Sequence, residues 1–111
     1  MFKDNAIENK RKKNLEKKQR LNVISLRNKF LGEWASTVLG FDQNRKIKYI
    51  NKISGPELKK DNEKLVIKKI EKDFINNNIK ISYNEIELKV KDFQIKANII
   101  VENEFKLNNW Q

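Results

Sequence analysis

From Leu21 onward the apolar side chains fall into helical registers, and before it they do not. Leu21, Ile24, Leu31, Ala35 and Val38 recur at intervals of three, four or seven, with Phe30 and Trp34 widening the stripe, which predicts a core helix stopping at Gly40. Asp42 can cap a second helix with Ile47, Ile50 and Ile53 on its apolar side. Ser54-Gly55-Pro56-Glu57 kinks or breaks that helix, Leu58 resumes its apolar face, and Asn62 is read as its end. A third helix is predicted from about Glu63 to Asn77 with Val66, Ile67, Ile70 and Phe74 inward. Ser82 and Glu85 then form an S-x-x-E capping box, with Ile81 and Ile86 at the positions of a hydrophobic staple. The fourth helix carries the cleanest stripe, Ile86, Val90, Phe93, Ala97 and Ile100, and should reach about Phe105, with a frayed tail from Leu107 to Gln111.

Composition narrows the chemistry. The 111 residues suit one compact domain, and 38% hydrophobic against 36% charged residues allow only a thin core. With no Cys and no His, disulfides, Cys or His zinc sites and imidazole catalysis are excluded, and no cofactor is called for. Three Gly and one Pro are too few for a Gly-rich phosphate loop or the turns of an all-β domain. The expected fold is all-α: a four-helix bundle-like body, residues 21–111, with a mobile, conditionally helical N-terminal arm, residues 1–20. Phe2, Ala6, Ile7 and Leu15 are nearly the only apolar residues of that arm.

The net charge is +10, and seven cations against Glu16 between Lys10 and Arg20 give +6 in eleven residues. Such a run repels itself when free and favours helix only against a partner that supplies negative charge or an apolar groove. Part of the charge reads as compositional, because Asn, Lys and Ile crowd the whole sequence as an AT-rich genome would make them. A small basic nucleic-acid-binding protein is the alternative function, weakened because helices three and four mix Lys with Asp and Glu. No 18-residue apolar stretch is present, so no membrane insertion is expected, and the N-terminus lacks the apolar core of a signal peptide. The chain reads as cytoplasmic. Gly32, in mid-helix at a cost of about 1 kcal/mol, calls for a compensating benefit: either a close helix contact beside Trp34 and Ala35 or an exposed docking surface for a partner.

These same residues carry a resemblance. The stretch RNKFLGEWASTVLG, with Arg27, Asn28, Lys29, Leu31, Gly32, Trp34, Ala35, Leu39 and Gly40, resembles the R-N-K-x-L-G-x-W-A signature of the zeta-type inhibitor subunit of alphaproteobacterial F-type ATP synthases. Upstream, Ala6-Ile7-Glu8-Asn9-Lys10 is similar to the A-F-E-N-K element of that family's inhibitory segment. Downstream, Ile79-Lys80-Ile81-Ser82 with Glu85 and Ile86 resembles its V-x-I-S start of the last helix. The resemblance implies a non-enzymatic regulator with four helices. Its N-terminal segment, with Phe2, Ala6, Ile7, Glu8, Asn9 and Lys10 as the contacting residues, would enter the catalytic head of the ATP synthase and block rotation in the hydrolysis direction. The free chain is expected to be a monomer, peripherally associated with the membrane-bound enzyme when bound.

Overall fold

The computed structural model describes the backbone of residues 2–109 and the side chains of residues 10–107. It is all-helical, in the order α1 (Phe2–Val38), α2 (Gln43–Ile53), α3 (Glu63–Asn76) and α4 (Tyr83–Asn109). The helix expected from Leu21 extends without a break back to Phe2. Its cause is local: no Gly or Pro precedes Gly32, and Lys, Arg, Glu, Gln and Leu dominate the segment, all strong helix formers. From Lys10 to Arg20 every side chain is exposed except that of Gln19, which is half-buried.

The helix boundaries have identifiable causes. Gly40 takes the left-handed conformation at φ 74° just past α1. Asp42 caps α2 by accepting from the Arg45 N–H at 2.9 Å. The helix then ends at Ser54, whose backbone N–H donates to the Ile50 carbonyl. The Gly-Pro pair does break the chain there, and residues 54–62 form turns rather than more helix. Asn62 has the opposite role to the one expected from sequence: its side chain accepts from the Lys64 N–H and starts α3. The capping box forms reciprocally, Ser82 N–H donating to Glu85 Oε2 at 2.9 Å and Glu85 N–H to Ser82 Oγ at 3.2 Å.

α1 packs on α2 and α4, and α3 packs on α4. Leu31 and Ala35 of α1, Tyr49 and Ile53 of α2, Val66, Ile67, Ile70 and Phe74 of α3, and Ile86 and Val90 of α4 form the main core. A second cluster of Val23, Ala97 and Val101, flanked by Leu26 and Phe30, continues it where only α1 and α4 run together. The molecule is therefore elongated, 62 × 26 × 21 Å. The expected stripes of α1, α3 and α4 are found, but Ile47 of α2 points outward and is 48% exposed. Its place is taken by Tyr49, which meets Phe41 edge-on at 5.6 Å.

Gly32 is where α1 and α2 touch. A β-carbon there would stand 2.9 Å from the Ile50 α-carbon and 3.4 Å from the Ile53 β-carbon. The close neighbour is backbone, so it cannot yield by a rotamer change. Gly32→Ala should therefore lower stability by about 1–3 kcal/mol, despite the roughly 1 kcal/mol that alanine gains in a helix. Urea denaturation reads this directly, and a midpoint equal to or above that of the wild type would contradict the contact.

Tyr49 joins α2 to α3 by donating its hydroxyl hydrogen to Asp73 Oδ2 at 2.8 Å, while Lys69 Nζ donates to Asp73 Oδ1 at 2.9 Å. Burial first, then the hydrogen bond to Asp73 and its charge, push the phenol's pKa well above its ordinary 10.0. A folded-state pKa above the unfolded one gives stability that is complete below about pH 10 and is lost as pH rises beyond it. Tyr49→Phe should lose about 1 kcal/mol at neutral pH. The gap between wild type and variant should then narrow above about pH 10, as followed by denaturation at pH 8 to 11; a constant gap would contradict the pairing.

Candidate partner-binding surface

The signature residues of α1 divide between buried and exposed positions. Leu31, Gly32 and Ala35 are buried, Lys29 is exposed, and Trp34 is half-buried with its ring edge-on to Phe74 at 5.6 Å. Lys89 Nζ lies 5.7 Å above the Trp34 ring. Gly40 ends the helix. These residues build the body.

Arg27 and Asn28 are the surprise, because both are buried, at 2% and 0% exposure. They occupy the seven-residue gap between Ile24 and Leu31, so they sit in the apolar stripe itself. Arg27 Nε donates to Asn28 Oδ1 at 3.1 Å, and its Nη1 donates to Gln94 Oε1 of α4 at 3.1 Å. Asn28 Nδ2 donates to the Leu58 carbonyl at 2.9 Å. One two-residue step of α1 thus fixes both the 54–62 turn and α4. Burial pushes the Arg27 guanidinium's pKa down, while the nearby Glu63 and Asp61 carboxylates act in the opposite direction. Its Nη2 is buried without a protein partner, a cost the node carries. The unfilled gap in the stripe was the available sequence signal for this network.

Outward-facing groups form two basic surfaces. The first is the exposed stretch from Lys10 to Arg20, where Arg20 makes an exposed 3.5 Å ion pair with Asp61 and so touches the 54–62 turn. Lys10, proposed from sequence as a contacting residue, is exposed on this stretch. Phe2, Ala6, Ile7, Glu8 and Asn9 lie outside the residues whose side chains are described. The second surface, not anticipated from sequence, is on α2, where Arg45, Lys48 and Lys52 ring a shallow hollow floored by Phe41 and Tyr49. Among the described residues there is no cluster of three metal-ligating side chains.

Over residues 2–99 the sequence matches a family described as ATPase inhibitor subunit zeta. The chain belongs to that family. As a member it is a regulator of an ATPase rather than an enzyme, and the ATP synthase is its partner. No curated protein and no solved structure gives a match. Residues 2–99 take in the basic stretch, the Arg27–Asn28 node and most of α4. No helix among the described residues is long and apolar enough to cross a membrane.

Asn28→Ala strands the Leu58 carbonyl and removes one of the two protein partners of the buried guanidinium. It should cost about 1–3 kcal/mol in the denaturation midpoint, against less than about 0.5 kcal/mol for the exposed neighbour Lys29→Ala. Equal effects at the two positions would remove the node from the structure's support.

Proposed function

We propose that the chain is a one-way brake on the F-type ATP synthase: residues 1–20 enter an interface of its catalytic head and stop rotation in the hydrolysis direction, while residues 21–111 form the body that carries them. The observation that carries this reading is the family match, which runs through the arm as well as the body. Residues 2–20 of α1, as a helix, measure about 28 Å, long enough to reach deep into a cleft between subunits. From Lys10 to Lys18 every side chain of the arm is exposed, which leaves most of its cations available to a partner. Because the arm continues the same helix that the Arg27–Asn28 node and the Gly32 contact clamp, a force on it is resisted by the whole body. Phe2, Ala6, Ile7, Glu8, Asn9 and Lys10 are its proposed contacts, and the site of action is the cytoplasmic face of the membrane-bound enzyme, with the free chain monomeric. Reversed rotation, as in synthesis, expels an arm held by contacts on one side.

Deleting residues 1–20 should abolish inhibition of ATP hydrolysis by the cognate synthase and leave the helical circular dichroism of the body in place. Hydrolysis and synthesis rates with added full-length and shortened chain measure this, synthesis being much less affected by either. Equal inhibition by the two forms would locate the activity in the body and refute the arm mechanism. Tight binding of the full chain to generic RNA, with no affinity for the catalytic head, would favour the nucleic-acid alternative.

A further inference from the structure

The net charge of the chain is not spread along it. Residues 10–20 carry +6 and α2 carries +4, the whole of the +10, and the remaining positions balance. In α3 four lysines face Glu63, Glu71 and Asp73; in α4 four lysines face five acids. A compositional drift toward Lys would leave an excess throughout. α2 instead holds Arg45, Lys46, Lys48 and Lys52 with no acid in eleven residues.

Lys46 is engaged by the body, its Nζ donating to Thr37 Oγ1 at 2.9 Å. Arg45, Lys48 and Lys52 are exposed at i, i+3 and i+7, one face of the helix and about 10 Å of its length. Among the described residues none of the three is in an ion pair. Like charges at three- and four-residue spacing weaken a helix, and a cation in its first turn opposes the helix dipole. Arg45 is nevertheless held in place, its guanidinium stacked 4.2 Å above the Phe41 ring. With Phe41 and Tyr49 as floor, the three cations rim an open hollow of about 220 Å³.

We infer that this face of α2 is a second docking surface, for a row of carboxylates on the catalytic head of the ATP synthase, which grips the body while the arm acts. The inference rests on the reading that the head is the partner. A stacked, planar guanidinium presents a fixed fork of donors that matches a carboxylate. Three cations spread over about 10 Å are too far apart for one small anion to join, and match acids repeating at helical spacing on a protein surface. Nucleic acid fits less well, because the basic face stops at Lys52 and in residues 53–62 Glu57 and Asp61 balance Lys59 and Lys60. Two basic surfaces on one chain then divide the work: α2 sets the affinity and the arm sets the block.

The test is the full-length triple variant Arg45→Gln, Lys48→Gln, Lys52→Gln, with circular dichroism as the check on folding. Direct binding to the catalytic head and inhibition of hydrolysis are measured at low and at physiological salt. The expected result is a rise of about tenfold or more in both the Kd and the half-inhibiting concentration, a smaller salt dependence, and an unchanged maximal inhibition. Arg45→Lys alone should already raise the Kd measurably, because an ammonium keeps the charge but lacks the planar fork of donors. An unchanged Kd for the head would overturn the inference, as would a variant whose only loss is affinity for generic RNA. The arm deletion moves the maximum of inhibition and this variant moves its midpoint, so failure of one reading is distinguishable from failure of the other. No binding of the wild-type chain to the head would overturn both.

Discussion

At Gly32 the backbone of α2 comes close enough to α1 that a single added carbon would meet the Ile50 α-carbon at 2.9 Å. Everything on that side of the molecule is registered by this approach. It sets Ile53 into the core with Leu31 and Ala35 and lays residues 54–62 back along α1. Leu58 is thereby delivered to Asn28, and Asp61 to Arg20. Arg27, beside Asn28, reaches across to Gln94 and ties α4 to the same point. A missing side chain and a two-residue polar node thus do together what a larger apolar core does in bigger domains. The polar node is expensive: its guanidinium is desolvated, and Nη2 lacks a partner. Buried polar groups of this kind give geometric specificity more readily than net stability.

α1 is one continuous helix with two environments. Beyond Leu21 its side chains enter the cores shared with α2, α3 and α4, whereas from Lys10 to Arg20 all but Gln19 are exposed, with Leu15, Lys18 and Gln19 lying beside Val101 and Phe105 of α4. Propensity carries the helix through the boundary, since no residue there breaks it, but propensity alone leaves so basic a stretch only marginally stable. In the brake proposed above, the arm's low apolar content would let it order on a partner at an entropic cost that holds affinity down and allows release. On the same proposal, charge concentrated on the arm and on α2 would offset part of that cost by steering association with an acidic surface.

What the sequence could tell depended on whether a signal was local. Gly40, Asp42 and the Ser82–Glu85 box act within four residues of themselves, and each is found where the sequence puts it. The inward stripe of α3 was legible because apolar residues recur there at unmixed helical spacing. Asn62 was misread because an Asn between two helical segments serves equally as end or beginning, and only the chain path after Pro56 decides. Ile47 was misassigned because α2 has apolar residues on more than one side, and the burial of Tyr49 against Phe41 and Asp73 chooses between them. The start of α1 was legible only as a conditional helix: propensity favours helix throughout residues 2–20, but without an apolar stripe there is no periodicity to place its beginning. Of the functional surface, the charge of residues 10–20 was plain in the sequence. The face of α2 was not, since four cations acquire meaning only once the helix ending at Ile53 shows three of them aligned and unpaired.

The division of α1 at Leu21 into a clamped half and a free half is the claim on which both function and fold turn, and amide hydrogen exchange along that one helix measures it most directly. Protection at Ile24, Leu31 and Ala35 should approach the global unfolding limit, while residues 12–18 exchange at least about 100-fold faster, through local opening that leaves the body intact. Uniform protection from residue 12 to residue 35 would contradict it, making the basic stretch an integral part of the folded body and leaving no free arm to act.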